Sequence, residues 1–322
     1  KGLRQCGGSA ALWAYGGHFN EKEGDMFIPY KVDVPMQRWP IANFVLIGLT
    51  VMISFALFVP LHEWEEQRLG GMNDPAIQHW LDQQGMRVEG SNPAPSVIDS
   101  FMLQPGNFHL SQLVGNLFLH GGFWHLAGNM LFLFVFGNAV NAKLGHARYL
   151  AIYFGSGIVE SLVWLVAGHG SPCMGASGAI MGIVGAFVLL YPTNDVSVGY
   201  MFTWYYSGTL EISAMWVIAM YVAFDIWGLV TGGNAGVAYL SHVIGFLTGA
   251  AAATGLLWFK VTGAEVNERS LLQVWGLMPE GDDGTKGATE AFAAHMPAKP
   301  PVAPARRPAV RKPAETGPIP LE

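Results

Sequence analysis

Long apolar blocks alternate with polar segments along this chain, and the length of the blocks sets the first expectation. Residues 41–60 hold no charged side chain. As a helix they span about 30 Å at ~1.5 Å per residue, the thickness of a bilayer's hydrocarbon core. Comparable blocks run over 121–140, 149–167, 212–230 and 237–259, interrupted by an acid only at Glu160 and Asp225. A sixth block, 176–191, reaches only about 24 Å. The loop before it, 168–175, is therefore expected to dip into the membrane and carry Ser177 below the surface. Irregular backbone at that depth is tolerated where it lines a cavity or is buried in protein. The expected class is all-α: a polytopic membrane protein with six transmembrane helices and a long first loop.

The polar segments complete the layout. Residues 1–40, with Pro29, Pro35 and Pro40, read as a cytosolic N-terminal segment. The connection 61–120 is too long for a plain linker in a compact bundle, which marks it as functional. Residues 192–211 hold Tyr200, Phe202, Trp204, Tyr205 and Tyr206, as expected of a segment at the membrane interface. Residues 261–322 form a Pro/Ala-rich tail expected to be disordered. The six-span domain is thus expected at 41–260.

Composition agrees with a membrane protein: 51% of residues are hydrophobic and only 12% charged, against about 25% charged in soluble domains. The net charge of −6 argues against a nucleic-acid partner. Lys31, Arg38, Lys143, Arg148 and Lys260 flank one side of the spans, whereas the loops after spans three and five lack Lys and Arg. The positive-inside rule then puts both termini in the cytosol.

That orientation gathers His120, His125, Asn129, Ser177 and His242 into one layer near the outer face. A serine hydroxyl becomes a nucleophile when an imidazole takes its proton, and His242 is the candidate base. Gly245 and Gly249 on span six, and Gly178, Gly182 and Gly185 on span four, are small faces that allow close helix approach. His125 and Asn129, four residues apart, share a helix face and can both donate to an oxyanion. No carboxylate neighbours His242 in sequence, so a Ser-His dyad is expected. Glu160 and Asp225 read as buried, hydrogen-bonded acids, with Asp225 toward protein or the inner interface. The remaining histidines lack metal-ligand spacing, so neither metal nor cofactor is expected. Cys173 reads as an incidental thiol on the opposite side of the membrane from Cys6.

Three stretches together resemble the rhomboid family of intramembrane serine proteases: Gly175-Ala-Ser177-Gly178-Ala, Ser241-His242-Val-Ile-Gly245, and the run from His120 through His125 to Asn129. The resemblance covers about Phe27 to Phe259. It implies a rhomboid-like bundle that cleaves transmembrane segments of membrane proteins within the bilayer, with Ser177 as nucleophile and His242 as base. It also implies an oxyanion hole of His125, Asn129 and the Ser177 amide, supported by His120, Gly175, Gly178 and Gly245. The expected location is a bacterial inner (plasma) membrane with the site toward the outer face. This chain departs from the family's pattern at Ser111-Gln112, where Trp-Arg is common, at Asn141 in place of an acid, and at Ser241 in place of alanine. A catalytically silent binder of client transmembrane helices is the alternative reading. A transporter would call for inverted repeats of broken helices, and the sequence has no such symmetry.

Overall fold

The structure, a computed structural model, describes residues 26–34, 36, 38–69, 96–168, 171–203, 206–232, 238–262 and 269–279. Five of its helices are long and apolar enough to cross a membrane. They are α1 (Ile41–Leu69), α2 (Phe123–Leu144), α3 (His146–Ala167), α5 (Ala214–Thr231) and α6 (Tyr239–Trp258). The sixth expected block is α4 (Ser177–Leu190), a helix of 14 residues. At ~1.5 Å per residue it reaches about 21 Å, too short to cross alone.

Helix α4 is the centre of the bundle. Each of its residues is buried, and its Ile180, Ile183, Val184 and Phe187 join the main core beside Leu133, Phe136, Tyr149 and Tyr153. Helices α1 and α5 lie at the periphery and expose Phe55, Val59, Trp216, Trp227 and Val230. Apolar side chains turned outward from spanning helices are suited to lipid, where burial from water no longer decides which residues face in.

The glycine faces meet as expected. A Cβ built on Gly245 would come within 2.0 Å of Gly178 O, and one on Gly249 within 1.7 Å of Gly182 O. On the opposite helix, a Cβ on Gly185 would lie 2.2 Å from Phe246 O. The α4 and α6 backbones are therefore in direct contact over two turns, an approach that only glycine permits. Helix α2 contains a π-helical stretch, Leu133–Gly137, of the kind that frees a backbone carbonyl from the regular ladder. Here Asn43 of α1 donates from Nδ2 to Leu133 O at 2.8 Å.

The helical class stands, with one addition that hydropathy did not foresee. Residues 192–211, expected as an aromatic interfacial segment, contain most of a hairpin of β2 (Asp195–Thr203) and β3 (Tyr206–Ser213). Strand β1 (Met26–Val32), taken as loose lead-in, pairs antiparallel with β2, giving the order β1-β2-β3. The cause is period-two patterning: Val196 and Val198 turn inward while Ser197 does not, so one face of the ribbon joins the bundle core. Part of the segment expected to be disordered, 269–279, is instead described and folded. Ser270 and Gln273 form a capping box that starts a helical turn, Leu271–Val274, and Leu271 and Leu272 reach the core. Residues 1–25 and 280–322 lie outside the described residues.

The first loop is anchored by the residue that replaces the family's arginine. Gln112 is fully buried; its Nε2 donates to Asp99 O at 2.7 Å and Asn107 O at 3.0 Å, and its Oε1 accepts from Gln104 N. An amide thus ties three backbone points together without a charge. Leu103 bridges to Cys173, tying this loop to the one that precedes α4. Cys173 is not the free thiol expected; Cys6 lies outside the described residues.

Candidate active site

Ser177 is the first residue of α4. The first regular bond of that helix runs from Ile180 N–H to Ala176 O. The amides of the first turn therefore belong to the positive end of the helix dipole, where negative charge is favoured. Gly175 sets up this entry with φ 123°, a conformation that a side chain would strain, and its N–H donates to Asn116 O at 2.9 Å. Gly178 is needed for space, because a Cβ there would lie 2.7 Å from Glu160 Cγ.

The α4–α6 contact brings the serine and histidine turns to the same end. Gly178, which meets Gly245, directly follows Ser177. His242 lies one turn before Gly245 on α6. Both side chains are buried.

His242 carries a partner that sequence proximity did not reveal. Its Nδ1 lies 2.9 Å from Asp225 Oδ1 on α5. A carboxylate can only accept, so Nδ1 holds a proton, and in the neutral imidazole Nε2 presents its lone pair. Nε2 is buried and makes no hydrogen bond among the described residues. The sequence reading placed no carboxylate beside His242; here the structure differs, because Asp225 of α5 bonds and orients the imidazole. Asp225 is the buried, hydrogen-bonded acid expected, and of the two placements offered it takes the one toward protein. It lies near the C-terminal end of α5 and bonds the start of α6, at the same depth as His242. Depth was the signal that could have found it, since five upward and downward crossings put residue 225 beside residue 242.

The donors come from α2. Gly121 N–H gives to His125 Nδ1 at 3.3 Å, which leaves the ring proton of a neutral His125 on Nε2. One turn further, Asn129 Nδ2 is buried and has no acceptor among the described residues. Two donors thus share one helix face, and His125 is within electrostatic reach of His242.

His120 stands behind them. Ser54 Oγ donates to Phe118 O at 2.8 Å, so it accepts from His120 Nδ1 at 3.0 Å. The His120 ring packs edge-on against His125 with centroids 5.0 Å apart. Burial first, and the neighbouring His125 second, lower the His120 pKa well below the usual imidazole value, so it stays neutral. Through Ser54 and this ring contact, His120 links the His125 ring to α1. Among the described residues no group of three or more metal-ligating side chains occurs.

The structure therefore gathers all five polar residues of the expected layer at one end of the bundle and adds Asp225. The arrangement holds a hydroxyl at a helix N-terminus, an oriented imidazole with an open lone pair, and two amide or imidazole donors. These are the kinds of group that acyl transfer calls for.

Known proteins share this region. A family model described as the rhomboid domain matches residues 107–259. The chain is 34% identical over 106 residues to rhomboid protein 1, mitochondrial, of Saccharomyces cerevisiae, covering 30% of each chain. It is 27% identical over 210 residues to the human presenilin-associated rhomboid-like protein, mitochondrial, covering 62% of this chain and 47% of that one. To YdcA of Bacillus subtilis, another rhomboid by name, it is 32% identical over 116 residues, 34% of this chain and 58% of the relative. These stretches span less than two thirds of the relatives' own lengths. Two of the three are named mitochondrial, so they lend no support to the bacterial inner membrane expected from the sequence. The spanning helices make this an integral membrane protein. Residues 107–259 match a rhomboid domain, and with these relatives the match supports a rhomboid family protein.

Proposed function

We propose that the chain is an intramembrane serine endopeptidase that cleaves transmembrane segments of membrane proteins. The observation that carries this reading is His242 itself. Its Nδ1 is bonded to Asp225, and its Nε2 is buried and unbonded, one turn from a helix contact that begins beside Ser177. In the reaction His242 Nε2 takes the Ser177 hydroxyl proton as Oγ bonds to the substrate carbonyl carbon. The oxyanion is met by the Ser177 amide, His125 Nε2–H and Asn129 Nδ2. His242 then gives its proton to the leaving amine as the C–N bond breaks, and water releases the acyl group by the same route. Asp225 keeps the imidazole in one tautomer throughout.

A substrate helix has its carbonyls in hydrogen bonds, so segments containing helix-weakening residues are preferred. The domain is 41–260, with both termini cytosolic and the site toward the outer face, as the distribution of Lys and Arg favours. A silent binder of client helices would have no use for an oriented imidazole with an open lone pair. The test is the full chain in liposomes with a model transmembrane substrate. Wild type cleaves within the segment and Ser177→Ala does not; cleavage that survives in Ser177→Ala, or absent cleavage by wild type, contradicts the proposal.

A further inference from the structure

The acid Glu160 has no part in the chemistry above, yet it sits where the serine turn and the histidine turn meet. It is on α3, 2% exposed. A chain of buried hydrogen bonds leads to it from the first loop. Asn116 Nδ2 donates to Gln112 O at 2.6 Å and to Ser161 Oγ at 3.0 Å. Ser161 Oγ in turn donates to Glu160 Oε1 at 3.2 Å.

Both halves of the site touch this chain. On the nucleophile side, Asn116 O accepts the Gly175 N–H, two residues before Ser177, and Glu160 Cγ and Cδ fill the space beside Gly178. On the base side, the same Gly178 backs directly onto Gly245 of α6, one turn after His242. A lone acid in a membrane helix is costly, and stability alone gives no reason to keep one here, because an apolar side chain of similar volume is often as good or better at a buried ionic position.

We propose that Glu160 is a positioning residue: by accepting from Ser161 and packing beside Gly178 it fixes the Ser177 turn of α4, and through the Gly178–Gly245 contact the His242 turn of α6, relative to the first loop. It touches neither the substrate nor the reacting atoms. The inference rests on the protease reading, and the experiment separates the two. The full chain is assayed in liposomes on the transmembrane substrate, with kcat, KM and melting temperature measured for Glu160→Leu, Glu160→Gln and Ser161→Ala. Glu160→Leu fills the space without accepting, and its kcat falls about tenfold or more with KM unchanged, the size of effect that sub-ångström misplacement produces. Glu160→Gln keeps an acceptor and holds at least about a third of wild-type kcat. Ser161→Ala breaks the chain by one atom without altering the acid; it lowers kcat about threefold and carries the test if the Leu variant does not fold. Wild-type kcat in Ser161→Ala and Glu160→Leu overturns the proposal, as does a Gln variant no better than Leu. Failure of wild type itself to cleave overturns the protease reading instead.

Discussion

Asn43 and Asn129 are both buried asparagines in membrane-spanning helices, and they are treated in opposite ways. At the end of the bundle that carries the sheet, Asn43 Nδ2 gives its two hydrogens to Leu133 O and to Asn138 Oδ1, each at 2.8 Å, and its Oδ1 accepts from Tyr149 OH. Its own N–H donates to Asn141 Oδ1 at 3.3 Å, and Asn141 Nδ2 meets His146 Nδ1 at 3.2 Å. Asn141 stands where the family often has an acid, and the amides here tie α1, α2 and α3 together with every Asn43 side-chain group used. At the other end, Asn129 Nδ2 and His242 Nε2 are buried without a partner among the described residues. Each such group costs about 1–3 kcal/mol. The sheet end holds a network built to be complete, and the loop end holds one built with open valences. On the proposed function, Asn129 Nδ2 and His242 Nε2 are the groups that the reaction engages.

The sharpest break in this comparison comes from Ser177→Ala. Cleavage should fall about a thousandfold or more, since members of such a site act as a unit, while the melting temperature stays at the wild-type value. Asp225→Asn comes next, with kcat about a hundredfold or more lower, because an amide no longer fixes the His242 tautomer. Its effect on KM should be small, which separates orientation of the base from substrate binding. Asn43→Leu should invert the pattern. It removes a satisfied hub and costs about 1–3 kcal/mol of stability, read by thermal melting in detergent, with kcat of the folded protein unchanged. Ser54→Ala is the mildest and belongs to both ends. It takes the acceptor from His120 Nδ1, costs about 1 kcal/mol in melting, and lowers kcat only a few-fold through the His125 ring.

Much of this division can be read in the sequence, because spans and depth follow from hydropathy and charge. Ser177, His242, His125 and Asn129 fall at one depth once the blocks are threaded through a bilayer. The glycine faces at Gly178/Gly245 and Gly182/Gly249 are legible for the same reason, since only close backbones need them. Asp225 was not legible, because sequence distance was used where depth was the right measure: residues 225 and 242 lie on opposite sides of one turn. The β-sheet was missed because its strands are far apart in the chain, with Val32 paired to Val196, and because aromatic residues around Tyr200 drew attention from the alternation of Val196 and Val198. The relay from Asn116 to Glu160 depends on side-chain geometry that no periodicity encodes.

The most direct test joins reactivity to stability in one experiment. Wild type, His242→Ala, Asp225→Asn and Asn43→Leu are labelled with a fluorophosphonate serine probe in membranes, and each is melted in parallel. The account predicts that labelling maps to Ser177, is lost in His242→Ala and slowed in Asp225→Asn at unchanged melting temperature, and persists in Asn43→Leu at a lowered one. Labelling of another serine, or equal labelling in wild type and His242→Ala, would contradict it.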